Sequence, residues 1–181
     1  FQEIKKSRLL VHMIPNAVSA ALCADGLAAL GARPLMAVEA REMPEITQQA
    51  AACVINLGQP YDGKLEAAGI VLREAAKHRK PLVLDPVGCG TSQFRLRSVQ
   101  KLLSLPWQGI VKGNRSEIYS IQQGFVTGEG VDAVAEHELC GQIPADRVYL
   151  ATGVADIVLW RDERLQLSYR RKRSRYNIEG N

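Results

Sequence analysis

The stretch KPLVLDPVGCGTS, residues 80–92, passes from an apolar segment through an acid into a turn rich in proline and glycine. Val83 and Leu84 favour extended backbone, Pro86 keeps Asp85 out of a helical conformation, and Gly88 and Gly90 let the main chain pass close to a ligand. The pattern is that of a strand delivering Asp85 to a loop. In open α/β sheets, ligands bind outside the carboxyl ends of such strands. An ordinary strand-to-helix connection has the same pattern, so the choice rests on the other strand ends.

Upstream, residues 16–31 place Val18, Ala21, Leu22, Leu27 and Leu30 at largely helical intervals, with Asn16 positioned to cap the helix and Gly31 to end it. The preceding LLVHMIPN is broken by Pro15, which predicts a loop over 12–16. Residues 33–38 read as a short strand, 42–52 as a helix and 52–59 as a buried strand ending in glycine. A longer helix over 62–78 carries Leu65, Ala68, Val71, Leu72 and Ala75 on one face. Beyond the glycine loop come a helix over 94–103 and a strand over 109–112. The next helix starts near Asn114, capped by Asn114 or Ser116, with Glu117 in its first turn. Residues 131–139 carry a helical reading, strands end at Ala151 and Trp160, and 163–169 is placed to pair with the last of these. Strands alternating with helices predict an α/β fold, a mostly parallel sheet flanked by helices on both faces with an antiparallel edge.

A chain of 181 residues, 46% hydrophobic and 23% charged, suits one globular domain with a substantial core. Its apolar residues fall in short segments without a membrane-length span, and FQEIKKSRLL holds no apolar signal core, so a cytoplasmic protein without membrane partners is expected. Cys23, Cys53, Cys89 and Cys140 are widely spaced and read as small core residues rather than zinc ligands or disulfides. His78 and His137 read as solvated helix-surface residues. The net charge of +4 has one source: Arg170, Arg171, Lys172, Arg173 and Arg175 face a single acid, Glu179. Removing those five bases and one acid from 23 and 19 leaves 18 of each. The body is therefore neutral, which excludes a strongly basic nucleic-acid face there and leaves only weak, salt-sensitive contact through the tail. The expected division is a domain over 1–169 and a disordered basic tail over 170–181.

Four strand ends carry polar or glycine-rich loops: Asn56-Leu57-Gly58, Asp85-Pro86-Val87-Gly88, Lys112-Gly113-Asn114 and Thr152-Gly153. In a parallel sheet they line one edge. A lysine, a strand-end carboxylate, an acid at a helix start and a Thr-Gly turn together suit a polyphosphate with Mg2+. Lys112 would neutralise phosphate charge, Thr152 would hydrogen-bond it, and Asp85 and Glu117 would hold the metal through water. Each also has a plain role, as solvated lysine, helix-dipole acid or turn former, and it is their convergence on one edge that favours a site. No GxxxxGK[ST] occurs, so the chain is not a P-loop protein.

The ordered set VHMIPN, GLAALGARPLMA, VINLGQ, VLDPVGCG, IVKGNRSEI and LATG resembles hydroxyethylthiazole kinase, a ribokinase-like family, over roughly residues 9–160. The resemblance implies ATP- and Mg2+-dependent phosphorylation of the primary alcohol of 4-methyl-5-(2-hydroxyethyl)thiazole in thiamine salvage, by a homotrimer with sites between subunits. It implies that Asn16 and Met36 line the thiazole pocket, that Lys112, Thr152 and Gly153 meet ATP, and that Asp85 and Glu117 serve the metal. Several positions depart from the family pattern. Pro15 interrupts the family's ITN, Ala24-Asp25 stands for Ala-Asn, Lys112 for the commoner arginine, and Val154 for an acid. The family's TGxGC motif, an anion hole with a cysteine base, does not occur in the sequence. Cys89 lies in GCG but not at the base position, so no catalytic base is assigned. The resemblance thus implies an incomplete C-terminal part and impaired phosphoryl transfer. The alternative is a non-catalytic binding or interaction module on the same fold. YRRKRSRYNIEGN reads as a divergent or frame-shifted end, a solvated tail, or a contact for nucleic acid or an acidic partner.

Overall fold

A computed structural model of the chain describes residues 2–126, 139, 146–161 and 168–173. Its strands are β1 (Leu10–Ile14), β2 (Arg33–Met36), β3 (Ala52–Asn56), β4 (Leu82–Asp85), β5 (Gly109–Asn114), β6 (Arg147–Thr152), β7 (Ala155–Trp160) and β8 (Ser168–Arg173). They form one sheet in the order β2-β1-β3-β4-β5-β6-β7-β8. Pairing is parallel from β2 through β6 and antiparallel for β6–β7 and β7–β8. The helices are α1 (Gln2–Ser7), α2 (Ala20–Ala29), α3 (Met43–Gln49), α4 (Asp62–Lys77), α5 (Gln93–Leu103) and α6 (Arg115–Gln123). The expected α/β architecture, ribokinase-like with a parallel body and an antiparallel edge, is the observed one.

A single register row organises the core. Ile14 lies opposite Ile55, Ile55 opposite Leu84, Leu84 opposite Val111 and Val111 opposite Tyr149, and all five are buried. Burying each such side chain contributes about 1.5–3 kcal/mol, so the row holds the strand ends beyond it in a fixed order. On α4 the stripe of Ala68, Val71, Leu72 and Ala75 is buried as its spacing predicts. Cys53 and Cys89 are buried as expected, and Cys23 is half-buried. His78 caps the end of α4, with Nε2 3.3 Å from Glu74.

Three expectations need correction. Residues 12–14 are not loop: they complete β1, which ends only at Pro15. His12 is fully buried in this strand, one in from the sheet edge, and its Nε2 donates to the Ala37 carbonyl at 3.1 Å, a partner 25 residues away. Asn16 does not cap α2. Its Oδ1 accepts from the Val18 amide in a tight turn, and the helix starts at Ala20. The third concerns the basic run, which is not wholly a tail. Arg170 to Arg173 pair with β7, Val158 lying opposite Arg170 and Ala155 opposite Arg173, so the last strand falls later than 163–169. Residues 174–181, Cys140 and all of the helix read over 131–139 except Leu139 lie outside the described residues.

Candidate functional site

The sheet order reverses between β1 and β3, since the chain leaves β1 for the edge strand β2 and returns on the other side. Crevices at the carboxyl ends of strands around such a reversal are the usual ligand sites of open α/β sheets. Along this edge follow, in spatial order, Met36 at the end of β2, Asn16 after β1, Asn56 at the end of β3, Asp85 at the end of β4, Lys112 on β5 and Thr152 at the end of β6.

Asp85, Lys112, Glu117, Thr152 and Gly153 come together at the β4–β6 end. The ammonium of Lys112 stands 3.5 Å from Asp85 Oδ2. Burial raises the Asp85 carboxyl above its ordinary value, while the Lys112 charge and the Val87 backbone amide oppose the rise. Gly88 takes a left-handed conformation, φ +68°, and from it the loop turns through Cys89–Thr91 into α5, where the Ser92 hydroxyl accepts from the Arg95 amide. That turn brings the Gly88 amide to Glu117, whose Oε1 accepts from it at 2.7 Å. Glu117 Oε2 accepts from the Asn114 amide at 2.7 Å, and Asn114 Oδ1 accepts from the Glu117 amide at 2.9 Å. This capping box settles the choice between Asn114 and Ser116 in favour of Asn114.

Glu117 thus clasps the glycine loop to the start of α6. Each carboxylate oxygen keeps a further lone pair, enough to accept a water of a hydrated cation. Two carboxylates with hard oxygen donors fit Mg2+, which retains waters and phosphate oxygens and needs few protein ligands. No group of three or more His, Cys, Asp and Glu side chains forms a metal cage among the described residues. Thr152 lies opposite Asn114 in the β5–β6 ladder, its hydroxyl donating to the Gly113 carbonyl at 3.2 Å. The Gly153 amide donates to Asp156 Oδ1 at 3.3 Å. Cys89 is no base: fully buried, it donates to the Glu117 carbonyl, and burial with the nearby Glu117 charge pushes its thiol up to about 12.

Two residues at this edge escaped the sequence reading. Arg115 extends from the first turn of α6 to the β6–β7 turn, where its Nη2 donates to the Ala155 carbonyl at 3.0 Å. It brings a second cation to the Thr152-Gly153 turn. Lys64, in the first turn of α4, is 2% exposed and donates to the carbonyls of Pro15 at 2.8 Å and Gly58 at 2.5 Å. Burial pulls its amine down to about 8, with Arg95 adding to the fall. A signal was present, because Lys64 continues the Ala68, Val71 and Ala75 stripe by one turn. Away from the edge, a groove of about 540 Å³ between α4 and α5 is floored by Leu65, Leu102 and Leu105.

The parallel sheet thus sets an acid at the end of β4 beside a lysine on β5. A family model described as the hydroxyethylthiazole kinase family matches residues 1–161. The chain belongs to that family. Hydroxyethylthiazole kinase from Macrococcus caseolyticus is 36% identical over 172 residues, covering 91% of this chain and 64% of the relative. The enzyme of that name from Clostridium botulinum Eklund 17B is 37% identical over 132 residues, covering 73% of this chain and 48% of the relative. The chain therefore spans about half to two thirds of these relatives' length. Among solved structures, hydroxyethylthiazole kinase from Pyrococcus horikoshii superposes with a TM-score of 0.69 at 30% identity, over 91% of this chain and 66% of that one. Adenosine kinase from Schistosoma mansoni, at 12% identity and a TM-score of 0.52 over 92% of this chain and 59% of that one, shares the fold.

Proposed function

We propose that the chain binds ATP with Mg2+ at the ends of β4, β5 and β6 and the primary alcohol of 4-methyl-5-(2-hydroxyethyl)thiazole at the ends of β1 and β2, for phosphoryl transfer in thiamine salvage in the cytoplasm. The observation that carries this reading is the Lys112–Asp85 pair beside the clasped glycine loop. Asp85 supplies a carboxylate toward Mg2+, with Glu117 reaching it through water. Bound Mg2+ would offset charge on the phosphates. Lys112 neutralises phosphate charge as a point cation, Thr152 offers its hydroxyl, and Gly153 leaves the turn open to a phosphate oxygen. Asn16 and Met36 face the alcohol. No TGxGC occurs in these 181 residues, and for them alone binding of both ligands with slow transfer is the proposal.

Self-association as a homotrimer is part of the proposal. Its support is α2, an apolar helix with no buried residue, beside which Val18 is 83% exposed and on which Leu22 is 77% exposed. Among the described residues no helix is long and apolar enough to cross a membrane.

Lys112→Met tests the nucleotide half. Calorimetric affinity for MgATP is expected to fall about tenfold or more, the loss of one charge-assisted contact. Unchanged affinity would remove Lys112 from the site.

A further inference from the structure

We infer that Lys64 is a positioning residue, clamping the Pro15-Asn16 loop to Gly58 so that Asn16 is presented to the alcohol. The inference rests on the proposed role of Asn16 in substrate binding. It starts from a residue that local energetics disfavour. A cation in the first turn of a helix opposes the helix dipole, and burying an ammonium is costly unless it is well bonded. Both of its bonds go to main-chain carbonyls, and these belong to the two loops flanking the reversal in strand order, after β1 and after β3.

The corner is packed around Asn16 itself. A Cβ on Gly58 would collide with the Asn16 side-chain amide, so the glycine is what lets the two loops close. Gly58 is fixed in turn by its amide, which donates to Asn56 Oδ1 at 2.9 Å. The side-chain Oδ1 of Asn16 accepts from the Val18 amide at 3.0 Å on the other side. Lys64 ties the loop carrying Asn16 to the loop carrying Gly58, so the side chain has one seat. A methionine of similar length would fill the same space without the buried charge, but it would leave the Pro15 and Gly58 carbonyls without their donor.

The test compares Lys64→Met with the parent chain by calorimetry with the thiazole alcohol and with MgATP, by thermal melting, and by hydrogen exchange at the Val18 amide. Expected are an alcohol affinity about tenfold weaker or more, MgATP affinity within about twofold, a lower melting temperature, and faster Val18 exchange beside unchanged Asn114 exchange. Lys64→Arg, which keeps the donors, should recover most of the alcohol affinity. The inference is overturned by a folded Lys64→Met that binds the alcohol as the parent does, or by parallel loss of affinity for both ligands. If the parent binds no alcohol, the functional reading fails, and Val18 exchange alone decides the clamp: unchanged exchange in Lys64→Met overturns it. Should that variant not fold, Gly58→Ala pushes on the same amide without touching Lys64. The same selective loss is then expected, and unaltered alcohol affinity contradicts the corner.

Discussion

Arg147→Met is expected to lower the unfolding free energy by about 3 kcal/mol or more. The guanidinium, 6% exposed with its residue, donates to three carbonyls: Leu103 at 2.6 Å, Leu105 at 2.7 Å and Trp107 at 3.3 Å. It also lies 4.4 Å over the Trp107 ring. Those carbonyls belong to the turn between α5 and β5, where regular pairing supplies no donor. The planar fork of arginine satisfies all of them from one side chain on β6. Methionine replaces the stem's packing but leaves the acceptors unpaired. Urea unfolding should show a lower midpoint at unchanged slope, and Arg147→Lys should recover less than half the loss because one ammonium cannot span three acceptors. A Met variant within about 1 kcal/mol of the parent would contradict this reading.

Gly109→Ala is the second large effect. Gly109 opens β5 at φ +153°, and a Cβ there would collide with the Leu82 carbonyl oxygen, main chain of the neighbouring strand. The backbone conformation alone costs a residue with a side chain about 1–3 kcal/mol, and the collision adds to it. Leu82 starts the strand that ends at Asp85, and Gly109 starts the strand that carries Lys112. Separating β4 from β5 therefore strains the pair at the far end of the same ladder. Both melting temperature and MgATP affinity should fall. A melting temperature within about 2 °C of the parent would show that the strands move apart freely.

What could be read in the sequence was local. Asp85-Pro86 and the glycines after it announce a strand end because proline and glycine constrain their own backbone, whatever surrounds them. The stripe on α4 announces a buried face for the same reason. Most of the residues named for the phosphate edge are gathered there because parallel strands ending in polar loops share one edge. What escaped reading was non-local. His12 sits buried in β1, where its hydrogen-bond partner, the Ala37 carbonyl, lies 25 residues away. Lys64 continues the α4 stripe, but its two carbonyl partners are set only where the loops of β1 and β3 meet over it. Arg115 follows a cap whose motif draws attention to Asn114 and Glu117, and its own target is a turn 40 residues on. The basic run from Arg170 looks like a tail by composition, yet β7 offers it an open edge to pair with.

The proposed function treats the phosphate edge and the alcohol corner as separable from the transfer step, and no TGxGC occurs in these 181 residues. The most direct test is the rate of ATP-dependent phosphorylation of the thiazole alcohol, measured beside the relative from Macrococcus caseolyticus at saturating MgATP. The expected kcat is at least about a thousandfold below that relative's, the combined loss of anion-hole donors and base. A comparable kcat would contradict the account, and would mean that this chain completes its transfer site with residues other than those of TGxGC.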